Sequence, residues 1–188
     1  MLVKVGVSAR HVHVTKEDLS ILFGEGYELT KKVDLSQPGQ YACNEQVILK
    51  GPKGTIERVR ILGPERGKTQ VEISKTDSFT LGINPPVRNS GDLEDAALIT
   101  IIGPKGKITK NAAIIAARHV HATKLDAKKY GFLDNGVVQI VVKGEKPGIL
   151  QNVYVRIDDN FSCEVHLDTD DANSFLIKNG DEVELIVK

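Results

Sequence analysis

Tryptophan is absent from this sequence, methionine occurs once, and phenylalanine and tyrosine bring the aromatic share to only 5%. So few flat rings leave little from which to build a platform for stacking bases or sugars. Two cysteines, Cys43 and Cys163, do not make the disulfide framework of a small secreted domain. An excess of one charge is also missing: 25 basic and 25 acidic side chains cancel to a formal net charge of zero. That balance argues against a nucleic-acid binder or a polybasic membrane-surface protein. The longest apolar runs, near Ala96–Ile102 and Ala112–Ala117, fall far short of the roughly 20 residues that cross a bilayer. Met1 to Val7 alternate like a strand and carry no signal-peptide pattern. With 40% hydrophobic and 27% charged residues in 188, the chain reads as a soluble intracellular protein with one sizeable core or two small ones.

The five histidines that are present are not scattered. Residues 9–16 read Ala-Arg-His-Val-His-Val-Thr-Lys and residues 117–124 read Ala-Arg-His-Val-His-Ala-Thr-Lys, seven identities in eight at an offset of 108. A β-like run precedes each copy, Val3–Ser8 and Ile114–Ala117. Each then reaches a Thr with an Asp three residues on, Thr15 with Asp18 and Thr123 with Asp126. This variant capping box predicts the start of a short helix, with Gly24 and Gly131 as stops. At an offset of 94, Gly54 matches Gly148, Val59 matches Val153, Val71 matches Val165 and Asp77 matches Asp171. That register sets Glu72 opposite the fifth histidine, His166. The chain is internally duplicated.

Most of the remainder reads as strands. Gln46–Lys50 and Thr55–Ile61 flank a Gly-Pro-Lys-Gly turn, as do Leu98–Ile102 and Lys107–Thr109. Val137–Lys143, Asn152–Asp158, Ser162–Asp168 and Glu182–Lys188 continue the pattern. Pro38-Gly39 and Asn84–Asp92 read as extended loops. Many short strands with regular turns predict a mainly β protein, of barrels or sandwiches.

Residues two apart on a strand share a face, so His11 and His13 point together, as do His119 and His121. One such pair is weak, because many are exposed polar faces of a sheet. The duplication and the matched third position strengthen it. The set is His11, His13 and Glu72 for one metal, and His119, His121 and His166 for another. Donor sets of this kind resemble catalytic zinc shells with a position left open, whereas structural zinc is usually closed by four ligands. Cys43 and Cys163 read as small buried hydrophobes. The run Gly63 to Thr69 mimics a phosphate-binding loop but has three residues between its glycines where the motif needs four, and a strand follows it. Arg58 and Arg60 alternate with Val59 and Ile61 to give a cationic strand face; Arg58 and Lys68 read as solvated charges. Arg66, six residues before Glu72 and just after a Gly-Pro turn, is a candidate anion-binding guanidinium. Arg88 to Asp92 is a second polar loop, either an approach to an anionic substrate or an ordinary surface turn.

Together these residues resemble the PduL-type phosphotransacylases, the phosphate propanoyltransferase family. The resemblance rests on Ser-Ala-Arg-His-Val-His at 8–13, Gly-Pro-Glu-Arg-x-x-x-Gln-Val-Glu at 63–72 and Pro-Val-Arg-Asn-Ser-Gly-Asp at 86–92. Ala-Arg-His-Val-His at 117–121 and Glu-Val-His-Leu-Asp-Thr-Asp-Asp-Ala-Asn at 164–173 complete it. It implies two small β-barrels with short capping helices, one over residues 10–116 and a second over 1–9 plus 117–188, completed by the N-terminal strand. It also implies a site of two zinc ions between them, other divalent transition metals being alternatives. Coenzyme A would be met by Val7, Ser8, Ala9, Arg60 and Asn173, with Lys53 and Phe79 as weaker candidates, near the interface of a homodimer or higher homo-oligomer. Arg66 matches the family's phosphate-binding arginine and is the catalytic candidate.

The reaction implied is acyl-CoA plus phosphate to acyl phosphate plus CoA, on acetyl- or propanoyl-CoA, by metal-assisted direct attack of phosphate on the thioester. A binuclear metal hydrolase of esters or phosphoesters, and a non-catalytic metal-stabilised barrel, are the competing readings. Relatives housed in bacterial microcompartments carry an N-terminal targeting extension. Here the first motif begins a few residues after Met1, so a cytoplasmic enzyme is expected.

Overall fold

Fourteen strands and four short helices follow one another along the computed structural model, which describes residues 1–187. They are β1 (Leu2–Ser8), β2 (His11–His13), α1 (Lys16–Phe23), β3 (Lys31–Asp34), β4 (Tyr41–Lys50), β5 (Thr55–Gly63), β6 (Gln70–Glu72) and α2 (Lys75–Leu81). Then come β7 (Val87–Arg88), β8 (Ala97–Ile102), β9 (Lys107–Ala116), β10 (His119–Ala122), α3 (Lys124–Tyr130) and β11 (Val137–Val142). The chain ends with β12 (Gly148–Ile157), β13 (Glu164–Asp168), α4 (Thr169–Ser174) and β14 (Glu182–Val187). The last expected strand extended to Lys188, which lies outside the described residues. Among those described, no helix is long and apolar enough to cross a membrane.

The strands close two six-membered rings. The first runs β4-β5-β2-β6-β9-β8 and returns to β4, with β3 added on β4 and β7 on β9. The second runs β1-β13-β10-β12-β11-β14 and returns to β1. Closure leaves no open edge in either ring. The chain separates into a unit of residues 10–35 and 39–116, holding the first ring, and a unit of residues 1–9, 36–38 and Ala117 onward, holding the second.

The rings share one pairing pattern. In the first, β2 lies between parallel β5 and antiparallel β6, and β9 runs parallel to β6. In the second, β10 lies between parallel β12 and antiparallel β13, and β1 runs parallel to β13. Val71 pairs with Ala113 and Val165 pairs with Val5, so β1 holds the place in its ring that β9 holds in the other. Irregularities repeat as well. Arg58 and Asn152, which correspond at the 94-residue offset, both have φ near +55°, at 56° and 55°. Each sits beside a shift of register, between Val47 and Leu49 and between Val138 and Ile140. The simple cationic face expected from alternation of Arg58 and Arg60 is therefore broken at Arg58.

Each ring is filled by its own apolar cluster. Val12, Leu19, Leu22, Leu49, Ile61, Leu81 and Ile101 are in the first, and Val5, Val120, Ile140, Val153, Val165 and Leu167 in the second. Each such fully buried Leu, Ile or Val contributes about 1.5–3 kcal/mol relative to exposure. Cys43 is fully buried in the first cluster, and half-buried Cys163 packs against the second.

Both helices anticipated after the histidine motifs are present, but the two caps differ. Thr123 and Asp126 form the full reciprocal box. In the first copy Thr15 Oγ1 accepts from Asp18 N at 3.1 Å, yet the Thr15 N–H goes to Thr69 Oγ1 instead of returning to Asp18. The cause is that the buried Asp18 carboxylate accepts from Lys110 Nζ at 2.6 Å and from the Thr69 hydroxyl. Sequence patterning did not anticipate α2 and α4, seven and six residues long and too short to show an apolar period. Ser74 with Asp77, and Asp168 with Asp171, cap them.

The two Gly-Pro-Lys-Gly turns close hairpins and also cap helices. Gly51 N donates to Gly54 O and Gly103 N to Gly106 O, each at 2.9 Å. The Lys53 and Lys105 N–H groups then donate to the carbonyls of Leu81 and Leu22, at 3.1 and 2.9 Å, at the ends of α2 and α1. Helix-terminal carbonyls otherwise lack partners. A Cβ on Gly51 would stand 2.1 Å from the Leu81 oxygen, so backbone must move. Gly51→Ala should therefore destabilise by about 1–3 kcal/mol, lowering Tm by a few degrees. Gly67→Ala, whose Cβ meets nothing within 4 Å, should leave Tm unchanged. Equal Tm for both would show that the hairpin yields freely.

Candidate metal centres

In the first unit, strand alternation puts His11 and His13 on one face of β2, their ring centroids 4.9 Å apart. The register of β6 sets Glu72 directly opposite His11, with Glu72 Oε2 3.6 Å from His11 Nε2. In the second unit, His119 and His121 project from β10, and β13 sets His166 opposite His119. The three rings lie 4.5–4.9 Å apart by centroid. In each trio one ligand atom per residue lies within 4.8 Å of the others, close enough for one metal ion.

Whether these residues suit a metal is tested by their hydrogen bonding. His13 Nδ1 lies 3.2 Å from the Leu62 carbonyl, and His119 Nδ1 lies 2.9 Å from that of Ala117. Donation from Nδ1 leaves Nε2 with its lone pair, the form a metal needs. Both ring nitrogens of His121 are buried with no hydrogen-bond partner. An unsatisfied buried polar group costs about 1–3 kcal/mol, which coordination would offset. Burial is the main cause holding His13 at a pKa of about 3, aided by His11 and Arg66 and opposed by Glu72. Burial likewise holds His121 at about 2, with His166, His119 and Arg156 adding to it. Both imidazoles are thus neutral, as ligands must be. The residues fit a divalent metal.

Arg66 stands near the first trio. Its N–H donates to Val14 O at 2.9 Å, and its guanidinium donates to Ser90 Oγ and Gln40 Oε1, each at 3.3 Å. The loop carrying Ser90 is tied down by Gly91 N, which donates to Gln70 Oε1 at 2.7 Å, and by Arg88, which meets Asp92 and Asp95. These contacts bring Ser90 of the loop against Arg66. Arg60, half-buried, donates to the Cys43 carbonyl. Arg58 and Lys68 are exposed.

The residues expected to meet coenzyme A fall in both units. Lys53, Arg60 and Phe79 belong to the first. Lys53 packs over Gly82 at the end of α2, and Phe79, 68% exposed, carries Lys75 Nζ 5.2 Å above its ring. Val7, Ser8, Ala9 and Asn173 belong to the second. Val7 N donates to Asn179 Oδ1 at 2.9 Å, and Ser8 pairs with Asp168, the N-cap of the helix that carries Asn173.

Sequence reasoning missed two groups. Arg10 binds Asp77 at 3.2 Å and Arg118 binds Asp171 at 3.0 Å, so each histidine motif is pinned to a capped helix by an equivalent ion pair. Glu164 was also missed, a carboxylate only 9% exposed beside His166. The 94-residue offset that matched Glu72 with His166 also matches Gln70 with Glu164, and was the available signal.

Fold and site define a class: a duplicated double β-barrel with one metal-competent trio in each half. The family model for phosphate propanoyltransferase matches residues 4–178, and the chain belongs to that family. It is 52% identical over 184 residues to the phosphate propanoyltransferase of Thermotoga maritima, covering 97% of this chain and 88% of the relative. It is 54% identical over 180 residues to that of Priestia megaterium, covering 95% and 83%. The Rhodobacter capsulatus enzyme is 49% identical over 179 residues, covering 95% and 83%. Proteins of that name are acyltransferases, and the chain is an enzyme of that kind.

Proposed function

We propose that the chain interconverts a short-chain acyl-CoA, acetyl- or propanoyl-CoA, and phosphate with acyl phosphate and CoA. The observation that carries this is Arg66, a guanidinium beside a buried metal-competent trio in a chain of the phosphate propanoyltransferase family. His11, His13 and Glu72 would hold one divalent ion and His119, His121 and His166 a second, zinc being expected. When bound, such ions would supply Lewis-acid stabilisation of negative charge on oxygen.

The chain's own groups account for the rest. Arg66 holds phosphate by a fork that matches two of its oxygens. Phosphate is already partly dianionic near neutral pH, so it needs placement more than deprotonation. A phosphate oxygen attacks the thioester carbonyl, the C–S bond breaks, and the thiolate leaves with CoA to take up a proton. An acyl-enzyme is disfavoured because the cysteines are poor nucleophiles: burial pushes the Cys43 thiol up to about 11 and raises that of Cys163. Val7, Ser8, Ala9, Arg60 and Asn173 are the proposed coenzyme A contacts, with Lys53 and Phe79 in support. The enzyme is proposed to act in the cytoplasm as a homodimer or larger homo-oligomer.

The test is phosphate-dependent release of free CoA thiol from acetyl- and propanoyl-CoA, before and after chelation. Release is expected with at least one substrate, lost on chelation and restored by divalent metal. No release by metal-replete protein with either substrate, or release indifferent to phosphate, would overturn the reading; the second outcome would indicate a hydrolase.

A further inference from the structure

The residue two positions before the third member of each trio differs between the halves. In the first half it is Gln70, whose Nε2 donates to Glu72 Oε1 at 2.6 Å and to Ser90 Oγ at 2.8 Å. In the second it is Glu164, whose Oε2 lies 3.2 Å from His166 Nε2. An amide donor thus stands by the carboxylate member, and a carboxylate acceptor stands by the imidazole member. One carboxylate thus stands at each trio: Glu72 as a member of the first, Glu164 just outside the second.

Glu164 is held as a side chain with a defined task would be. Ser36 Oγ donates to its Oε2 at 2.5 Å and Gln37 Nε2 at 3.2 Å. Gln37 is itself fixed by donating to Ser162 O and accepting from Ser162 N, each at 3.1 Å. Space for the group comes from Gly6, the strand partner of His166, where a Cβ would stand 3.0 Å from the Glu164 carboxyl carbon. At the corresponding place in the first ring, opposite Glu72, the residue is Ile114. Glycine occurs where the neighbouring residue is glutamate, and isoleucine where it is glutamine.

We propose that Glu164 is the positioning carboxylate of the three-histidine centre, fixing His166 and supplying the negative charge that Glu72 supplies directly in the other trio. This rests on the metal reading given above. With Nε2 turned to Glu164, His166 would offer Nδ1 to the metal. A carboxylate behind a metal-bound imidazole orients the ring and raises its basicity, and its removal typically weakens metal affinity 10–100-fold. Ser36 and Gln37 fix Glu164 in turn.

The test titrates chelator-stripped full-length chain with Co²⁺ and Zn²⁺, reading stoichiometry, affinity and the Co²⁺ visible spectrum. Wild type should take up two ions. Glu164→Gln, close in size and uncharged, should bind one ion as wild type does and the other roughly 10–100-fold more weakly, with an altered Co²⁺ spectrum for that site. Glu164→Asp should recover part of the loss, and the stripped variants should melt as stripped wild type does. Wild-type affinity at both sites in Glu164→Gln overturns the proposal, as does equal weakening at both with a lowered Tm, the mark of a structural role. Wild-type protein that takes up no metal would instead overturn the metal reading beneath it.

Discussion

Replacing His121 with alanine is expected to remove one of two bound metal equivalents and to lower phosphate-dependent CoA release on the order of 10²–10³-fold. Both nitrogens of this imidazole lack a partner, and the ring is wedged between His119, His166 and Phe161, which stacks on it at 3.9 Å. Its removal deletes the donor with least other employment in the structure, so metal binding should suffer more than folding. A cavity in place of a buried ring still costs stability, of the order of 2–5 kcal/mol. Metal content per folded chain is therefore the decisive readout, with circular dichroism to establish the folded fraction. Two equivalents at wild-type affinity and an unchanged rate would remove the second trio from the mechanism.

Arg66→Ala should act differently. Its hydrogen bonds to Ser90 and Gln40, each 3.3 Å, are long enough to exchange readily for shorter charge-assisted bonds to phosphate oxygens. Its loss should raise the KM for phosphate and lower kcat, with a combined loss in kcat/KM on the order of 10²–10³. The KM for acyl-CoA should scarcely move. Arg66→Lys keeps the charge but not the fork, and should fall between the two. Metal content should remain at the wild-type level in both variants, which separates this prediction from the one for His121. A loss confined to the acyl-CoA KM would show that Arg66 serves coenzyme A rather than phosphate.

Much of this was legible because the chemistry is written twice. Four histidines in two copies of one phrase, together with the two-residue period of a strand, place each pair on one face without any tertiary information. The 94-residue offset then anticipates the register in which His11 meets Glu72 and His119 meets His166. The helices α1 and α3 follow from local capping. By contrast α2 and α4, at seven and six residues, are set by Ser74 and Asp168 at the ends of strands, with no apolar period to reveal them. Lys107–Thr109 and Ile114–Ala117 read as separate strands but form one, β9, because polar Lys110 and Asn111 interrupt the pattern without interrupting the ladder.

By itself the sequence determined the duplication, the two trios of side chains that come together and the mainly β character, all of which depend on local spacing or identity of neighbours. Only the tertiary structure decided which strand completes which ring, why Asp18 leaves its cap for Lys110, and what surrounds each trio. Ser36 and Gln37 reach Glu164 across sequence separations of 128 and 127 residues. No local pattern encodes such a contact. It exists because closing a ring of strands fixes distant segments side by side, and a buried charge is tolerated only where those segments supply its partners.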